Sequence, residues 1–211
     1  MRNMEQQQMP PPQGRKKLNA FMIVIGIAVA VILIFSVLTV MFYGQAQDFK
    51  ASKYKAQYVL VDDIVKSVPL ATSAMSDVID DDIDNGWRRS SAQYALATVE
   101  GLSTSCYGIE VMYPDGEEKS TTFQALLAGM EALASTLETA YTQLTSPSRD
   151  VSDSVQLSLQ NSSSLLSSIA TLVAQGVDST IDWMTSPYDL LDGMDLAQLA
   201  AAGNDLVNAQ P

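Results

Sequence analysis

Residues 20–43 read AFMIVIGIAVAVILIFSVLTVMFY, 24 positions without a charge, in which only Ser36, Thr39 and Tyr43 carry hydroxyls. At about 1.5 Å of rise per residue this helix covers about 36 Å, enough to cross a hydrocarbon core of roughly 30 Å with some tilt. Phe42 and Tyr43 close the run, where interfacial aromatic rings are favoured, and Arg15, Lys16 and Lys17 stand just before it. By the positive-inside rule the basic triplet keeps the N-terminus in the cytoplasm and sends everything past Tyr43 outside. The expected layout is a basic, Pro/Gln-rich cytoplasmic tail over 1–18, a transmembrane signal-anchor helix over 19–43 and an extracytoplasmic helical bundle over 44–186. An acidic, Ala-rich tail over 187–211 follows, read as a short helix or a frayed end.

Two other readings of the apolar run stay open. A cleaved secretory signal has an apolar region of about 7–15 residues, shorter than this one, although Gly44-Gln45-Ala46 supplies a small-x-small site. A basic stretch before a long apolar helix also resembles the leader of type IV pilins, which implies a filament subunit. Those pilins usually place a Gly just before the cleavage point and a Glu five residues into the mature chain. Here Gly14 is followed by charged residues, and no acid falls in the apolar run.

The net charge of −12 over 211 residues is unevenly distributed. Four basic side chains face one acid before the apolar run, whereas from residue 47 onward 8 basic side chains stand against 23 acidic ones, a net of −15. Such a surface repels phosphate backbones, which excludes nucleic-acid binding, and disfavours anionic lipid except near Lys50, Lys53 and Lys55. The sequence has no histidine, which removes the commonest general base, the commonest zinc ligand and every Ser–His or Cys–His pair. Cys106 is the lone cysteine, so no internal disulfide exists. It reads as a small buried hydrophobe on a helix or, alternatively, as a thiol that pairs with a second copy.

Past the membrane, helical periodicity recurs, and the fold class is mainly α, an antiparallel bundle of about four long helices. Tyr54, Tyr58, Val61, Val65 and Val68 step by four and three, with Thr72, Met75 and Ile79 continuing. Pro69 should kink this first helix, and the run Asp80–Gly86 should end it. A second helix is expected from Trp87 to about Tyr107. The Tyr113-Pro114-Asp115-Gly116 turn lies in a segment, 109–123, that reads as a short hairpin or an extended link. Thr121 with Gln124 suggests a capping box for a third helix that stops at Ser146-Pro147. A fourth is expected to start with Ser146 or Ser148 as its cap, to weaken at Ser162–Ser164 and to stop at Ser186-Pro187. Trp183 and Tyr188 would then lie near the membrane surface.

Few residues suggest chemistry. Asp80, Asp82 and Asp84 are candidate cation ligands, since calcium prefers carboxylate oxygens, but the EF-hand template fails at Ile83 and Ala92. Asn161-Ser162-Ser163 satisfies the N-glycosylation acceptor rule. No serine-nucleophile elbow or phosphate-cradling glycine loop is present, so no catalytic residue and no cofactor is expected. Tyr54, Tyr58, Val61, Val65 and Val68 are the candidate interaction surface. The leading expectation is a non-enzymatic interaction or structural subunit of a cell-surface or envelope assembly. Its partners are the bilayer and either further copies of the chain or other membrane or envelope proteins. The alternative is an extracytoplasmic ligand-sensing module that signals through a partner. In having a first helix that extends from a membrane span it resembles the helical sensor modules of chemoreceptors.

Overall fold

The computed structural model of the chain describes residues 13–179 and 189–211. Among these there are five α-helices, one 3-10 turn and no strand. Helix α1 spans Gln13–Ile79, α2 Asn85–Glu110, α3 Glu118–Thr145, α4 Asp153–Ser179 and α5 Leu196–Asn208, with the 3-10 turn at Leu190–Gly193. The chain divides into two compact units, Met1–Phe49 and Lys50–Pro211.

The first unit is the early part of α1, the one described helix long and apolar enough to cross a membrane. Every side chain from Val31 to Ala46 is exposed, Phe35, Val40 and Phe42 among them. The two hydroxyls on this surface bond to their own helix: Ser36 Oγ donates to Ile32 O at 2.8 Å and Thr39 Oγ1 to Phe35 O at 2.8 Å. That is how a hydroxyl is satisfied where no water is available to take its proton.

In the second unit the contacts define the directions of the helices. Leu60 packs over Gly108, Ser105 Oγ donates to Asp63 at 2.6 Å, Ser91 Oγ to Asp77 at 3.1 Å, and Arg88 Nε to Val78 O at 3.0 Å. As the α1 number rises the α2 number falls in step, so these helices are antiparallel. Helix α3 packs along α2 after a short turn. Helix α5, the short helix expected as one reading of the C-terminal tail, lies parallel to α3 and in fixed register. Thr122 Oγ1 bonds Leu196 O at 3.4 Å, Gly129 faces Gly203, and Thr136 Oγ1 bonds Gln210 Oε1 at 2.6 Å. Each step of seven residues is about two turns on both helices, which keeps one stripe of each against the other. Helix α4 is antiparallel to α5, with Ser162 against Gln210 and Gly176 against Met194.

The core draws on every helix of this unit, including Leu190, Leu191, Leu199 and Leu206 from the C-terminal segment. The segment 189–211 is therefore packed rather than frayed. On α1 the buried positions are Gln57, Val61, Ile64, Val68, Ala71, Ala74, Met75 and Val78. Apart from Ala74 this is a heptad stripe, but it shares only Val61, Val68 and Met75 with the expected seam. Tyr54, Val65, Thr72 and Ile79 are half-buried on its flank, and Tyr58 is exposed.

Several local expectations are corrected. The suggested hairpin over 109–123 is absent: Ile109 and Glu110 complete α2, Ile109 is buried in the core, and Gly116 turns the chain with φ 82°. Helix α3 begins three residues before the suggested capping box. Thr121 N already donates to Glu117 O at 2.9 Å, and its hydroxyl turns back to Glu118 O at 3.0 Å. Ser146 closes α3 rather than opening α4, its Oγ donating to Gln143 O at 2.6 Å. Gln143 then holds the start of α4, accepting Ser152 N at 2.9 Å and donating to Ser152 Oγ at 3.2 Å. Helix α1 continues through Pro69, which is exposed. The serines at 162–164 do not interrupt α4, and Ser162 is buried against Gln210. The expected stop at Ser186-Pro187 and the placement of Trp183 and Tyr188 fall outside the described residues.

Candidate functional site

A polar cluster at one end of the second unit gathers residues from four parts of the chain. Gln57 on α1 is fully buried; its Nε2 donates to Tyr113 Oη at 2.5 Å and to Asp189 Oδ1 at 3.1 Å, and its Oε1 accepts Leu190 N at 3.3 Å. Tyr113 Oη donates to Asp189 Oδ1 at 2.5 Å. Lys53 and Lys119 each approach Asp189 Oδ2 at 3.3 Å, Lys119 also pairs with Asp192, and the Lys53 ammonium sits 3.8 Å from the centre of the Tyr113 ring.

Burial alone would raise the Asp189 carboxyl. The Tyr113 hydroxyl, the Leu191 amide and the two ammonium groups outweigh it and hold Asp189 below the ordinary carboxylate value. Burial, and then the hydrogen bond and charge of Asp189, push the Tyr113 phenol well above its usual range. Each buried polar atom here answers another, and charge is balanced between two lysines and two aspartates. The arrangement ties the C-terminal segment to α1 and α3.

The acidic turn between α1 and α2 is likewise built into the fold. Asp80 Oδ1 accepts Asp82 N at 3.0 Å, Asp84 caps α2 by accepting Gly86 N at 2.9 Å, and Asp81 lies 3.0 Å from the guanidinium of buried Arg88. Asp80 and Asp84 thus serve separate tasks within the turn. Among the described residues no three Cys, Asp or Glu side chains converge as a metal-binding set.

Beside that turn lies a groove of about 320 Å³ between α1 and α2, lined by Leu70, Ala74 and Asp77 on one side and Trp87, Ser91 and Tyr94 on the other. Helical steps of three and four put these side chains in two facing rows. Trp87 is 61% exposed, Tyr94 51% and Leu70 49%, although Trp87 is held in place by Nε1 donating to Asp77 Oδ2 at 3.0 Å. Three large side chains around one cleft are what sequence reading missed. Trp87 was visible in the sequence, but Leu70 lies off the apolar stripe of α1 and Tyr94 off that of α2, so periodicity passed over both.

Of the candidate interaction residues, Val61 and Val68 are buried in the chain's own core and Tyr54 and Val65 pack against it, which leaves Tyr58 on the surface. Asn161 is exposed on α4. Cys106 is buried, and burial pushes its thiol up to about 12, so the reading as a thiol that pairs with a second copy does not fit its place. Comparison with protein-family models, with curated proteins and with solved structures finds no match for this chain.

Proposed function

We propose that this chain is a membrane-tethered, non-enzymatic interaction module. Its apolar span would anchor it with the N-terminus in the cytoplasm, and its acidic helical unit would work outside as a subunit of a surface or envelope assembly. The observation that carries this reading is the exposure of Leu70, Trp87 and Tyr94 around one groove. Trp and Tyr are the side chains most enriched where proteins bind one another. The length and charge-free character of residues 20–43, with basic residues before them, support the anchor.

Crosslinking of the full chain in native membranes, followed by sizing in mild detergent, tests the reading. A defined species larger than the monomer, containing either a second copy or a constant partner, is expected. A chain that remains monomeric and crosslinks to nothing would defeat the proposal. Protease added to intact cells should remove the portion beyond Tyr43, and its protection would refute the proposed orientation.

A further inference from the structure

We propose that the groove between α1 and α2 receives a basic, amphipathic helical segment of a partner protein. This rests on the interaction reading above and names the face and the chemistry of the partner. Shape is the first argument. Leu70, Ala74 and Asp77 repeat along α1 at helical spacing, as do Trp87, Ser91 and Tyr94 along α2, so the cleft runs for about two turns between two ridges. That is the form in which a third helix lays apolar anchors between two others. Ala74 is buried and forms the floor, whereas Leu70, Trp87 and Tyr94 stand up as walls.

Charge selects the guest. Asp77 lies in the cleft, and the turn carrying Asp80, Asp81, Asp82 and Asp84 closes one end. The cations at that end are Arg88, which is buried and paired with Asp81, and Arg89, whose Nε donates to Asn85 O at 3.3 Å. A second copy of the unit would bring its own excess of carboxylates, a net of −15 from residue 47 onward, against this acidic end. A guest with lysine or arginine beside its apolar stripe matches both features.

The probe is a short labelled peptide of Leu and Lys in amphipathic helical order, titrated against the full chain in an uncharged detergent, with micelles alone as the blank. One control replaces each Lys by Glu, and another replaces each Leu by Ser. Saturable binding of the Leu/Lys peptide alone is expected. Leu70→Ser and Tyr94→Ala should each weaken it about tenfold or more, as loss of an apolar anchor does. Asp77→Asn should weaken it and flatten its salt dependence.

Leu70 is half exposed and outside the core, so Leu70→Ser keeps the test valid if Tyr94→Ala lowers the melting temperature. Equal binding of the Ser/Lys control, or binding unchanged in Leu70→Ser, would overturn the proposal, because either means diffuse attraction to an acidic surface. A partner whose crosslinks persist in the groove variants would also overturn this face while leaving the broader reading intact. A chain that crosslinks to nothing removes the broader reading itself.

Discussion

Gly129 on α3 and Gly203 on α5 meet backbone to backbone: a β-carbon on Gly129 would stand 2.7 Å from the Gly203 carbonyl oxygen, and one on Gly203 would stand 2.7 Å from the backbone of Ala125 and Leu126. Neither neighbour is a flexible side-chain tip, so room must come from separating the helices. Gly203→Ala should therefore cost about 1–3 kcal/mol despite the better helix propensity of alanine. Gly101 has no atom near its missing β-carbon and is exposed on α2, so Gly101→Ala should stabilise by up to about 1 kcal/mol. Urea melts of the two variants should move in opposite directions.

Asp189 carries the pH dependence of the C-terminal docking. Its folded pKa is depressed, so its contribution is present above the unfolded carboxylate value of 3.8 and is lost as pH falls through the lower folded value. Asp189→Ala takes their acceptor from Tyr113 and Lys53, and one of two from Gln57 and Lys119, and should cost about 2–4 kcal/mol at pH 7. Melts at pH 7 and at pH 2 should show that deficit shrinking in acid. Tyr113 and Lys119 have raised values, so their share is present below the unfolded values of 10.0 and 10.5 and is lost at strongly alkaline pH.

Two adjacent arginines should behave differently. Arg88 is 3% exposed, its Nε bonds the Val78 carbonyl near the C-terminal end of α1, and its guanidinium pairs with Asp81. Arg88→Ala should cost about 2–3 kcal/mol through lost packing and an unpaired end carbonyl. Arg89 is exposed, and Arg89→Ala should stay within about 0.5 kcal/mol. Equal losses for the two would contradict the assigned role of Arg88.

Cys106 offers a probe of the native core. Its thiol is buried and held near 12, so it should resist a thiol-specific reagent at pH 8 in the folded chain and react at once in urea. Rapid labelling under native conditions would mean that α2 does not pack as described.

Much of this architecture is written in patterns that periodicity can find. The apolar run, the four long helices and the stops at Asp80 and Ser146 follow from runs of apolar letters and from turn residues. What escaped has a common cause. Gln57 and Ala71 belong to the true stripe of α1 but are polar or small, so the reading settled on Tyr54, Tyr58 and Val65 at its edge. The register of α5 depends on Gly129 and Gly203, residues that weigh against a helix when read singly and favour close packing only when they meet. Asp189, 132 positions away from Gln57, could not be joined to it by any local rule. The groove was hidden for the opposite reason: its walls lie off the stripes that periodicity follows.

The shared seven-residue step of α3 and α5 restricts how this chain can change length. One residue inserted between Leu199 and Gly203 would hand the glycine's place to Ala202, whose methyl group has no room there, and would carry Leu206 out to the exposed position of Val207. Two helices meshed in this way tolerate substitution on their outer faces but not slippage, so in this pair length should vary by whole heptads or not at all.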